Sequence, residues 1–306
     1  MTLLQIADGD SAFERTRKAF TEQGFERDIL FLCKDKKLDK IVIAHDYGEM
    51  ETSERGVSEY VFYTIFELAN HDVRSALLSG RRGDLAWVCQ TAHDMAVGVS
   101  QLHTQEIAHN DLRPSNVLCF SDTQKIADLG RATSANHAGP WDPLMHPGAR
   151  AYRPPECWGY GYIQPRQYGR VTFDARAQSD LFLLGAMMLF LVSEISYTQK
   201  LRICLRPEYD PGNNGRVSFV DALPHINVAH AKALSDVKSE IESAFDAKYS
   251  VVYDEYIELC KMLVDPDPSV RGDPRMQQIG APRSSLQRII SRLDYLGKKA
   301  SLIARK

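Results

Sequence analysis

The chain has 306 residues, with 37 Lys and Arg set against 40 Asp and Glu, for a net charge of -3. That length buries a full core in one large domain or two small ones, and so even a balance gives no global field for nucleic acid or an anionic membrane. The six cysteines, Cys33, Cys89, Cys119, Cys157, Cys204 and Cys260, lie far apart with no Cys-x-x-Cys pair, which suits buried thiols in a reducing compartment rather than a disulfide framework or a zinc site.

Met1 to Asp10 shows no basic segment followed by an apolar one, so no secretory signal is expected and the protein reads as cytoplasmic. Thr2 to Ala7 is a short apolar run ended by Asp8-Gly9-Asp10, which predicts a strand and a turn. Phe13, Phe20, Phe25, Ile29, Leu30 and Leu32 then recur at helical spacing, predicting one or two amphipathic helices to about Cys33. Two β-rich runs, Lys40 to Ala44 and Glu59 to Leu68, flank a polar, Gly-containing stretch that reads as a hairpin connection. From Asp72 the pattern is mainly helical, with Leu85 to His103 amphipathic and Leu181 to Val192 apolar all round. The latter run is shorter than the roughly 20 residues of a membrane helix, so a buried core helix is expected and no membrane span. Ala135 to Arg166 is Gly/Pro-rich and irregular. Near the end, Leu286, Ile289, Ile290, Leu293 and Leu296 form an apolar stripe opposite Arg288, Arg292, Lys298 and Lys299. It packs on the helical part or meets a membrane or acidic partner. A strand-rich start joined to a helical remainder is an α+β layout with segregated parts.

The segment His109-Asn110-Asp111-Leu112-Arg113-Pro114-Ser115-Asn116, followed by Lys125-Ile126-Ala127-Asp128-Leu129-Gly130, carries the chemistry. Phosphoryl transfer needs an acceptor hydroxyl held in line and phosphate charge neutralised by metal, and carboxylate and amide oxygens are suitable ligands for Mg2+. On a tight loop Asp111 can face the hydroxyl and Asn116 a metal, Asp128 can hold metal from a second loop, and Gly130 lets that loop turn.

These residues resemble the catalytic loop and metal-binding triplet of the eukaryotic-type Ser/Thr protein kinase family. Arg153-Pro154-Pro155-Glu156 resembles the end of its activation segment, with Arg271 as the expected partner of Glu156, and Asp180 resembles the buried Asp that braces the catalytic loop. The resemblance implies a bilobal α+β fold in a single domain, with a reduced, strand-rich N-lobe and hinge over 1–69 and a large helical C-lobe over 70–306. It implies ATP and Mg2+ as cofactors and a protein as substrate or regulatory partner. Asp111 and Arg113 are then the catalytic pair, with Arg113 in place of the usual Lys, and Asn116 and Asp128 the metal ligands. The backbone of Glu67 to Ala69 is the adenine hinge, Phe66 the back of the pocket, Leu118 its floor and Asp72 the ribose contact. Glu26 stands where the family has the helix Glu that pairs with a strand Lys. Tyr209 to Gly215 is a surface turn where kinases often dock substrates.

The chain departs from the pattern at its start. The expected strand Lys is replaced by Gln5, too few residues precede it for a Gly-rich loop, and Lys18, Arg15, Arg17 or a partner protein are candidate substitutes. Asn110 replaces an Arg that docks a phosphorylated activation loop, so control by such phosphorylation is not expected. The form Asp-Leu-Arg-Pro-Ser-Asn points to Ser/Thr acceptors. An active kinase, a pseudokinase serving as a binding module, and an enzyme of the same fold acting on a small molecule or transferring a nucleotide all remain open.

Overall fold

The computed structural model describes residues 12–54, 57–160, 171–214 and 216–305; the strand expected over Thr2 to Ala7 lies outside them. The first described element is one helix, α1 (Ala12–Asp35), which unites the one or two helices expected there. Phe25, Ile29, Leu30 and Cys33 form its buried face. An antiparallel hairpin follows, β1 (Ala44–Glu54) and β2 (Val57–Phe66).

This corrects the first strand. Lys40 to Ala44 was expected to form it, yet β1 starts at Ala44 and consists of the polar stretch assigned to the connection. The reason is where the apolar residues are needed. Ile41 and Val42 are buried beside Ile126, with Val42 N–H donating to the Ile126 carbonyl and Ile126 N–H to that of Lys40. The hairpin itself is a surface feature, which tolerates Asp46, Glu49 and Glu51 in its strand. Its α1 side carries Phe62 against Phe20 and Tyr47 against Phe31, both edge to face. Met50, Val61, Tyr63 and Ile65, which share the opposite face by register, stay exposed.

After β3 (His71–Asp72) and α2 (Val73–Leu78), the helix α3 (Leu85–Thr104) leads through β4 (Ile107–Ala108) into the catalytic-loop segment. β5 (Val117–Cys119) pairs with β3 on one side and β6 (Gln124–Ile126) on the other, and β4 pairs with β7 (Thr133–Ser134). The helical body consists of α4 (Phe173–Ser193), α5 (Tyr197–Cys204), α6 (Phe219–Ala244), α7 (Ser250–Leu263), the short α8 (Pro274–Gln278) and α9 (Gln287–Ala304). α4 is apolar and long enough to cross a membrane, but 83% of its apolar window is buried inside the protein. It is the axis of the core, each fully buried Leu or Phe contributing about 1.5–3 kcal/mol. The C-terminal stripe packs inward, since Ile289, Leu293 and Leu296 of α9 are buried in the main cluster. Arg288 and Arg292 on its outer side pair with Asp273 and Glu255.

Candidate active site

The loop after β4 is tied down from below by α4. Asp180, fully buried, accepts the backbone N–H of His109 at 2.8 Å and of Asn110 at 2.7 Å, and lies 2.9 Å from His103 Nε2. Burial alone would raise its pKa; the His103 bond and the loop amides outweigh that and hold the carboxyl below its usual range. His109 packs under the loop with Nε2 3.1 Å from the Ala127 carbonyl. Asn110 takes a left-handed backbone, φ 64°. Its buried amide donates to the Ala108 and Arg131 carbonyls, each at 3.1 Å, and reaches Thr133 Oγ1 at 3.0 Å. The side chain that replaces the family Arg therefore joins the loop to β7.

On this base Asp111 is 7% exposed and Asn116 4%. Asp111 Oδ1 accepts the backbone N–H of Ala149 at 2.8 Å, and Oδ2 faces Arg113 Nε at 3.4 Å, an ion pair rather than a hydrogen bond. Asn116 Nδ2 donates to the Asp111 carbonyl at 3.0 Å, which leaves Oδ1 to the Ser115 hydroxyl at 3.2 Å. Asp128 follows β6 in a second left-handed turn, φ 63°. Strain of this kind, about 1–3 kcal/mol, persists where the surroundings enforce it. Its half-exposed carboxylate lies 4.0 Å from Arg113 Nη2, so one guanidinium bridges both acids. The structure thus brings Asp111, Arg113, Asn116 and Asp128 together.

Glu26 of α1 meets a carboxylate where the family pattern has an ammonium. A Cβ added at Gly130 would lie 3.2 Å from Asp128 Oδ1 and 3.4 Å from Glu26 Oε2, so both acids border this glycine. Burial and then the Asp128 charge push Glu26 up to about 7. Among the described residues Glu26 forms no ion pair. Lys18 and Arg131 instead flank Glu22, one turn before it on α1.

The hinge is partly committed. Glu67 N–H donates to the Ile43 carbonyl at 3.0 Å, so this donor is used internally. The Glu67 carboxylate accepts Ile43 N–H at 2.8 Å and both oxygens lie 2.8 Å from Lys125 Nζ. Leu68 is 93% exposed. Ala69 has no backbone partner among the described residues. Leu118 is half-buried between Asp72 and Lys125 in the sheet register. Asp72, expected at the ribose, caps α2 by accepting Ser75 N–H at 2.7 Å, which occupies one of its oxygens.

Below the site, Glu156 meets Arg271 with two parallel bonds of 2.8 and 3.0 Å, as the resemblance implied. Residues 30–272, most of the chain, match the protein kinase domain family. The chain belongs to that family. Its relatives include the eukaryotic translation initiation factor 2-alpha kinase 1 of Plasmodium falciparum, 27% identical over 56% of this chain and 11% of that protein. The stress-activated protein kinase jnk-1 of Caenorhabditis elegans is 42% identical over 23% of this chain and 15% of its own length. The cell division control protein 2 homolog 3 of Trypanosoma brucei brucei is 36% identical over 23% of each. Each alignment spans less than a quarter of the relative.

Two members of this kinase site escaped the sequence. Lys125 stands within the metal-binding segment with nothing in the sequence to give it a role, although its place opposite Leu118 in a three-residue strand puts it at the hinge. Ala149 contributes only a backbone N–H, for which no residue type is a signal.

Proposed function

We propose that this kinase domain transfers the γ-phosphoryl group of ATP to Ser or Thr hydroxyls of a protein, with magnesium. The observation that carries the proposal is the convergence of Asp111, Arg113, Asn116 and Asp128 at one place on the helical lobe. Asp111 Oδ2 would orient the acceptor hydroxyl and take its proton, since Oδ1 is already held by Ala149. Arg113, a permanent charge with a fork of donors, would move from the two acids to the phosphate oxygens.

The donor set fits magnesium. Magnesium prefers one or two protein oxygens shared with substrate phosphates. Asn116 Oδ1 and the Asp128 carboxylate would hold the ion, which when bound neutralises phosphoryl charge. Adenine would lie on Leu118 with its edge toward the Glu67 carbonyl and Ala69.

A second proposal, a pseudokinase that binds nucleotide or a partner without transfer, is favoured by one observation: among the described residues Glu26 forms no ion pair, and the Asp128 charge adds to burial in raising its pKa. Incubation with γ-labelled ATP, magnesium and a mixed protein acceptor separates the two. Transfer that falls at least about 100-fold in Asp111→Asn, with phosphoserine or phosphothreonine as the product, supports the enzyme. Label no higher in wild type than in Asp111→Asn and Asp128→Ala, with nucleotide still bound, supports the pseudokinase.

A further inference from the structure

The segment from Asp128 to Glu156 crosses the site, and its own residues fix it at several points. Trp141, 7% exposed, donates its indole Nε1–H to the Gly130 carbonyl at 2.7 Å, two residues from Asp128. The Arg131 guanidinium stacks on the same ring, 4.0 Å from its centre. From the other side Arg176, near the start of α4 and buried, directs Nη2 to the carbonyls of Trp141, Asp142 and Leu144 at 3.2, 3.2 and 2.7 Å. Arg153 Nη2 donates to the His146 carbonyl at 3.1 Å. The chain then runs through Gly148, where a Cβ would collide with the Asn110 carbonyl, to Ala149 and its bond to Asp111. Phe25 of α1 lies so close to Gly139 that a Cβ there would sit 2.7 Å from the ring.

The hydroxyls of this segment are a second, independent observation. Only Thr133, Ser134 and Tyr152 carry one between Asp128 and Glu156. Thr133 is 3% exposed and Ser134 4%. Thr133 Oγ1 takes the Asn110 amide, and Ser134 Oγ accepts the N–H groups of Asn136 and His137 at 3.1 and 3.3 Å. Tyr152 packs against the core. Both aliphatic hydroxyls are closed to a modifying enzyme. The guanidinium groups that an added phosphate would recruit already hold a ring and backbone carbonyls.

We propose that Trp141 and Arg176, with Arg131, are positioning residues that hold this segment in place permanently, so that ordering of the site requires no phosphate on the segment. They act on the reaction through Gly130 beside Asp128 and through Ala149 on Asp111. Only the kinetic arm of the test below rests on the phosphotransfer proposal.

The test is amide hydrogen exchange over residues 139–149 in the full chain, before and after phosphatase treatment, and in Trp141→Ala, Trp141→Phe and Arg176→Lys. Phosphatase should leave wild-type exchange unchanged. Trp141→Ala and Arg176→Lys should exchange at least about ten-fold faster, and Trp141→Phe, which keeps the ring but loses the N–H, should fall between. In activity, kcat should drop in the same order at constant KM for ATP. Faster exchange after phosphatase treatment, or wild-type protection in both Trp141 variants, would overturn the proposal. If Trp141→Ala fails to fold, Trp141→Phe and the phosphatase arm decide. A wild-type chain that transfers no phosphate at all defeats the phosphotransfer proposal and leaves the exchange result to judge the clamp.

Discussion

On the helical side of the site, the carboxylate of Asp180 meets two loop amides and a histidine, and Arg271 grips Glu156 with two bonds and adds the Gln178 carbonyl at 2.6 Å. On the α1 side, Glu26 faces another carboxylate, and the hairpin leaves Met50, Tyr63 and Ile65 exposed. The catalytic loop is over-determined by bonds that exist before any ligand arrives, whereas among the described residues Glu26 opposite it forms no ion pair and the outer hairpin face carries exposed apolar side chains. Rigidity has been placed where orientation matters, and unmet demand where binding energy can still be gained.

The contrast is most directly broken at Arg271. Replacing it by Met strands Glu156 with no cation, and a cost of about 3–5 kcal/mol is expected in urea unfolding. A loss under 1 kcal/mol would mean that the helical side is no better secured than the other.

Glu26→Gln probes the opposite side and should stabilise. With its pKa raised from 4.5 to about 7, Glu26 binds more protons folded than unfolded between those values. Stability is therefore full below pH 4.5 and falls as pH rises through about 7, by on the order of 2–3 kcal/mol. The Gln variant should lose that slope in melts between pH 5 and 8; parallel profiles for variant and wild type would show that neither burial nor Asp128 raises the Glu26 pKa. A smaller effect is expected from Lys125→Met, which leaves the Glu67 carboxylate with Ile43 alone. About 1 kcal/mol of stability and a few-fold of nucleotide affinity should go, the latter read by calorimetry, and unchanged affinity would remove Lys125 from the hinge. Leu68→Ser, at a 93% exposed position, should change stability by less than about 0.5 kcal/mol; a larger loss would show that the hinge is covered.

The sequence disclosed the parts of the site whose partners lie close along the chain or whose spacing is distinctive. Asp111, Arg113 and Asn116 share one tight loop, and the buried helix announced itself by being apolar on every side. β1 was hidden because Asp46, Glu49 and Glu51 are poor strand formers that a surface hairpin accepts. Trp141 and Arg176 were hidden for another reason. Their bonds end on carbonyls, 11 positions away for Trp141 and 32 to 35 for Arg176, and a carbonyl is the same in every residue. Asp72 illustrates the converse, because a helix cap and a ribose contact ask for the same side chain.

The heavy burial of α4 also bears on how the chain is made. Emerging from the ribosome, Phe173–Ser193 is as greasy as a membrane anchor, and much of its covering, α5 to α7, has yet to be synthesised. Nascent chains halted before α7 should therefore be clients of holding chaperones, and C-terminal truncations should fail through aggregation long before they disturb a residue of the catalytic loop.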